Sequence, residues 1–82
     1  MQFRWNGWNI DRATKHGCSI PEIESVAARP GRGFPRQIGN DKLRVIGRGQ
    51  GDRFIEVIYL LDDDGTAFVI HAMPLTTRRR RS

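Results

Sequence analysis

The chain has 82 residues, with fourteen basic and nine acidic side chains, a net charge of +5 and one cysteine. That length suits one small domain with a limited core and leaves no room for a second, and a lone Cys18 excludes an intrachain disulfide. No apolar run approaches the roughly 20 residues that cross a bilayer, and Met1-Gln2-Phe3-Arg4-Trp5 lacks the apolar core of a secretory signal, so a cytoplasmic protein with no membrane partner is expected.

The first helix is expected to start at an Asn6 N-cap and run to Lys15, with Gly17 as the left-handed residue that ends it. Trp8 and Arg12 share a face of that helix. Cys18, after His16-Gly17, reads as a small structural residue at a helix junction and not as a nucleophile. Ser19-Ile20-Pro21-Glu22 reads as a capping box, with the serine oxygen able to reach the Glu22 amide and the proline tolerated in the first turn. Ile20, Ile23, Val26 and Ala27 form the apolar stripe of a short second helix, which Pro30-Gly31 ends.

Beyond the glycine-rich break at 31–33, helical spacing gives way to alternation and β-branched residues. Strands are expected over 34–38, 42–48, 53–61 and 66–73. The connections between them are of hairpin length. The expected fold is α+β: two N-terminal helices packed on one face of an antiparallel three- to four-stranded β-meander. Residues 1–76 would form the single domain and residues 77–82 a flexible basic tail.

Turn chemistry sets a testable register. A two-residue turn at Asp64-Gly65 would pair Leu61 with Phe68, Tyr59 with Ile70 and Val57 with Ala72 on the core side, leaving Glu56, Ile58, Val69, His71 and Met73 on the other. A three-residue loop at Gly49-Gln50-Gly51, with Gly51 at positive φ, would pair Val45 with Ile55 and Leu43 with Val57. It would also set Arg44 opposite Glu56. Both turns put Arg44, Arg48, Glu56 and His71 on the face away from the helices. The register of Arg36 stays open, because the Gly39-Asn40-Asp41 loop can close in more than one way.

The charge excess favours an acidic partner, nucleic acid or acidic protein, although without Arg78, Arg79, Arg80 and Arg81 the body carries only +1. Those four arginines can bind phosphate, or form a solvated end. Asp62-Asp63-Asp64 reads as a turn, since it lacks the downstream glutamate of a calcium loop. No Walker loop, zinc-ligand spacing, hydrolase elbow or dinucleotide fingerprint occurs, and neither a metal nor a cofactor is expected. Cutting RNA without a metal needs a base for the 2′-hydroxyl proton, a cation for the pentavalent phosphate and an acid for the leaving 5′-oxygen. The candidates are Glu56 or His71 as base, Arg44 or Arg48 as phosphate clamp, and His71 or Lys15 as acid. A cross-strand Arg44–Glu56 pair is also an ordinary structural ion pair, Lys15 and His16 equally suit helix C-capping, and a satisfied His71 equally suits a structural role.

Phe3-x-Trp5, then Lys15-His16-Gly17, the acidic-capped second helix, Ile46-Gly47-Arg48, Ile58-Tyr59 and Val69-Ile70-His71-Ala72-x-Pro74-Leu75-Thr76 together resemble the BrnT-type toxins, a branch of the RelE-like ribonuclease toxins. The resemblance implies two helices on an antiparallel sheet and a metal-independent endoribonuclease that inhibits translation. It also implies a ribbon-helix-helix-type antitoxin that neutralises the toxin, with operator DNA reached only through the antitoxin complex. Carried over, the active surface would comprise Lys15, Arg44 or Arg48, Glu56 and His71, with phosphate also held by Arg36. Met73 stands where such chains commonly carry an arginine, which keeps a second reading in view: a related domain that no longer cuts and acts by binding the antitoxin, another partner or nucleic acid.

Overall fold

A computed structural model describes residues 1–75. Thr76 and the tail arginines Arg78, Arg79, Arg80 and Arg81 lie outside the described residues. The elements in chain order are α1 (Gly7–Thr14), α2 (Ile20–Ala28), β1 (Arg36–Gly39), β2 (Lys42–Arg48), a 3-10 turn (Gln50–Asp52), β3 (Phe54–Leu61) and β4 (Ala67–Pro74). The strands form one antiparallel sheet in the order β1-β2-β3-β4, an α+β meander as the sequence led one to expect. No helix among the described residues is long and apolar enough to cross a membrane.

Local chemistry explains the helix ends. The Asn6 side chain accepts the Asn9 N–H at 3.1 Å while the Asn9 side chain accepts the Asn6 N–H at 2.7 Å, a complete capping box. Gly17 takes φ +93° just beyond α1, where a side chain would be strained. At α2, Ser19 accepts the Glu22 N–H at 3.3 Å and Pro21 sits in the first turn. The Glu22 carboxylate does not return to the cap; it is used elsewhere, as described below.

The core lies between α2 and one face of the sheet. Ile23 and Val26 of α2 are buried with Val45 of β2, Ile55, Val57 and Tyr59 of β3, and Ala67, Val69 and Ala72 of β4. Each valine or isoleucine so buried contributes on the order of 1.5–3 kcal/mol. Gly47 lets α2 approach β2, because a Cβ there would lie 3.2 Å from the Val26 side chain and 3.3 Å from the Arg29 carbonyl.

The expectation of both helices on one face needs amending for α1. It packs chiefly along β4, with Ala13 and Asn9 buried on the core side. Its Trp8 and His16 rings meet Phe68 and His71, which are on the opposite face by register. The helix therefore straddles the β4 edge. Residues 2–4 precede it along the same edge, where Arg4 N–H donates to the Ala67 carbonyl and Ala67 N–H to the Gln2 carbonyl, both at 2.9 Å.

Both hairpin registers differ from expectation. The β2–β3 connection is longer than three residues: Arg48 pairs with Phe54, so Val45 meets Val57 and Leu43 meets Tyr59. That is a slip of two residues, which preserves every face. Gly51 does take positive φ, at +67°. The β3–β4 turn is closed by Asp62 N–H to the Thr66 carbonyl and Gly65 N–H to the Asp62 carbonyl, so Leu61 pairs with Ala67 and not with Phe68. This one-residue slip turns Val69 into the core and Phe68 out of it. The pairing then jumps from Tyr59↔Val69 to Ile58↔His71, leaving Ile70 as the extra residue of a bulge. Beyond the bulge Val57↔Ala72 holds as expected, and His71 and Met73 regain the outer face.

Candidate functional site

The register draws a row of side chains across the outer face of all four strands. Arg36 of β1 pairs with Arg44 of β2, Arg44 with Ile58 of β3, and Ile58 with His71 of β4. The next row holds Ile46, Glu56 and Met73. Arg44 therefore does not face Glu56 directly, as the shorter loop would have required; the two meet on the diagonal, one pair along the ladder, still within reach of long side chains.

At the centre, Arg44 Nε donates to Glu56 Oε2 at 2.6 Å, and His71 Nε2 stands 3.2 Å from Glu56 Oε1. Both carboxylate oxygens of Glu56 are thus engaged. The Glu56 side chain is 15% exposed, whereas Arg44 and His71 are 33% and 29% exposed, so the carboxylate is the covered member and its partners open to solvent. An ionised carboxylate only accepts, so the hydrogen of this bond belongs to Nε2. His71 Nδ1 then has no hydrogen-bond partner among the described residues: it is a lone pair in the neutral ring, a donor in the cation. The His16 ring, at the end of α1, lies edge-on to His71 with centroids 6.0 Å apart.

The other residues singled out from sequence fall around this cluster unevenly. Lys15 is the exposed C-cap residue of α1, and no hydrogen bond or ion pair of its side chain occurs among the described residues. Arg48 is not part of the cluster. It is at the far end of β2, its guanidinium 3.9 Å from Asp52 and over the Phe54 ring at 5.4 Å. Arg36 shares the face but leans away, donating to the Gly33 carbonyl at 3.3 Å and covering Phe34. Asp62 and Asp64 are turn residues: Asp62 pairs with Arg4 at 3.0 Å, and Asp64 accepts the Thr66 N–H at 2.9 Å. Among the described residues no three His, Cys, Asp or Glu side chains converge to hold a metal ion.

The opposite face carries a second Arg–Glu pair that the sequence did not reveal. Arg53 donates through Nη2 to Glu22 Oε1 at 2.8 Å and through Nε to Oε2 at 3.3 Å, a bidentate contact. Gln50 N–H adds a bond of 2.7 Å to Oε2, and Arg53 reaches the Gly17 carbonyl at 3.2 Å. The Glu22 side chain is 1% exposed and Arg53 38%. The Arg53 hydrogen bonds hold the Glu22 carboxyl below its ordinary range against the opposing effect of burial. Burial and the Glu22 charge raise the neighbouring Cys18 thiol, which is buried and unbridged. Glu22 and Arg53 are 31 residues apart, and no local pattern announces such a pair.

The chain matches none of the family models, curated proteins or solved structures with which it was compared.

Proposed function

We propose that this chain is a BrnT-type toxin of a type II toxin-antitoxin pair, a metal-independent endoribonuclease that inhibits translation. The observation that carries the reading is the Arg44–Glu56–His71 cluster on the open face, with one imidazole nitrogen unpartnered among the described residues. In this reading Glu56 orients His71, accepting from Arg44 Nε on one oxygen and from His71 Nε2 on the other, and His71 is the base. His71 Nδ1 takes the 2′-hydroxyl proton and O2′ attacks phosphorus. The 5′-oxygen leaves with a proton from the end of α1, where Lys15 and His16 stand. The remaining donors of Arg44 stabilise the charge on the phosphorane, and a 2′,3′-cyclic phosphate results. The partners of this reading are RNA and a ribbon-helix-helix-type antitoxin, with operator DNA reached only through their complex, in the cytoplasm.

A specific observation favours the alternative, a related domain that binds partners without cutting. Met73 pairs with Glu56 in the heart of the site, where an arginine would supply a second cation, and Arg44 Nε is already committed to Glu56. Induced expression in bacteria separates the two. Growth arrest by the wild type, absent in a folded Arg44→Ala, His71→Ala double variant, is the outcome expected of the nuclease. Soluble, folded wild-type protein that leaves growth untouched would decide for the alternative.

A further inference from the structure

Four side chains that the nuclease reading leaves unused form a ladder along the β4 edge. The Phe68 and Trp8 rings stack with centroids 5.9 Å apart and planes 14° from parallel. The Arg4 guanidinium lies 4.2 Å over Phe68 and the Arg12 guanidinium 4.2 Å over Trp8. The two ends differ. Arg4 is pinned by Asp62 through Nε at 3.0 Å and Nη2 at 3.4 Å, which neutralises its charge. Arg12 has no ion pair among the described residues, and Trp8 is 52% exposed.

A single exposed ring is ordinary on a protein surface, so the exposure of Trp8 assigns it nothing; its setting does. It is stacked on Phe68, and the long Arg12 side chain lays its guanidinium over the indole. We infer that Trp8 is a stacking platform for an unpaired base of single-stranded RNA, with Arg12 holding the adjoining phosphate. The base takes the place of the Arg12 guanidinium over the indole, and the released cation turns to the phosphodiester, the combination of aromatic face and cation that single-strand binders use. Phe68 is on the same face of β4 as His71, three residues away, roughly 10 Å along the strand. A strand seated on Trp8 therefore runs towards the Arg44–Glu56–His71 cluster. The Arg12 cation at the open end of the ladder, without an ion pair among the described residues, favours an anionic strand over an apolar partner. The identity of that polyanion as RNA rests on the nuclease reading; the stacking geometry does not.

The test uses the full chain carrying His71→Ala, so that bound RNA is not cut, and measures affinity for a short single-stranded oligoadenylate and for an abasic sugar-phosphate strand of equal length. Trp8→Ala should weaken oligoadenylate binding about 5- to 150-fold and leave the abasic strand unchanged. Trp8→Phe should restore most of the loss, which separates the ring from a folding defect. Equal affinity of wild-type and Trp8→Ala proteins for oligoadenylate would overturn the platform. So would a loss that follows an acidic peptide and not the base, which would assign the surface to a protein partner. Cleavage by the His71-bearing protein is scored separately. Cutting that does not depend on Trp8 rejects the platform and keeps the nuclease, whereas Trp8-dependent binding without cutting keeps the platform and rejects the nuclease.

Discussion

Two arginine–glutamate pairs lie on opposite faces of one sheet and illustrate how the same chemistry serves different ends. Glu22–Arg53 is closed: the carboxylate is buried, accepts from Arg53 and from the Gln50 N–H, and ties the β2–β3 loop to the start of α2. Arg44–Glu56 is open: its carboxylate reaches a partly exposed histidine whose other nitrogen has no partner among the described residues. Every acceptor of the first pair has a structural partner, so it can stabilise but not react. The second has a titratable group at its end, so its geometry can move a proton. Burial and the third member, not the ion pair, separate them.

The comparison predicts a double dissociation, sharpest for activity. His71→Ala should lower the rate of RNA cleavage about 10²–10⁴-fold, the usual share of a general acid–base group, with a melting curve close to wild type. Glu56→Gln should cost less, because it keeps the shape while weakening the hold on the His71 tautomer. A Glu56→Gln protein that cuts at the wild-type rate would remove Glu56 from the mechanism.

Stability should respond to the other pair. Glu22→Ala removes a buried carboxylate from three donors, and because Arg53 retains access to water the loss should be about 2 kcal/mol, below the 3–5 kcal/mol of a fully buried pair. Urea titration measures it. Gly49→Ala should be destabilising by about 1–3 kcal/mol, since its Cβ would lie 2.5 Å from Glu22 Oε2 and 2.6 Å from the Ile55 side chain. Neither change should alter cleavage per folded molecule.

The acid limb of stability offers a gentler test. Glu22 has its carboxyl lowered in the folded state, so its contribution is complete above the ordinary carboxylate range and disappears as pH falls through the lowered folded value. Wild type should therefore lose more stability on acidification than Glu22→Gln. Parallel acid limbs would show that this carboxylate contributes nothing through its charge. The smallest effect is expected at Arg48, 64% exposed at its side chain and apart from the cluster, where alanine should change stability by under about 0.5 kcal/mol.

Much of this arrangement was legible from the residues. Asn6, Gly17, Ser19 and Pro21 mark the helix ends through rules that act over one turn, and alternation with short connections yields the meander. The outer-face placement of Arg44, Glu56 and His71 survived two wrong registers for different reasons. A two-residue slip between β2 and β3 keeps side-chain parity, and the Ile70 bulge undoes the one-residue slip between β3 and β4. Val69 and Phe68 lie between the turn and the bulge, and so were assigned to the wrong faces. What stayed illegible depends on distance in sequence: the Glu22–Arg53 bond, the approach of His16 to His71, and the Trp8–Phe68 stack across the β4 edge.

The most direct measurement of the central claim is cleavage of a defined single-stranded RNA by purified protein in the presence of a metal chelator. The account predicts that wild type cuts, leaving a 2′,3′-cyclic phosphate, while folded His71→Ala does not and folded Glu22→Ala does. Intact RNA with folded wild-type protein, or cutting that survives His71→Ala, would contradict it.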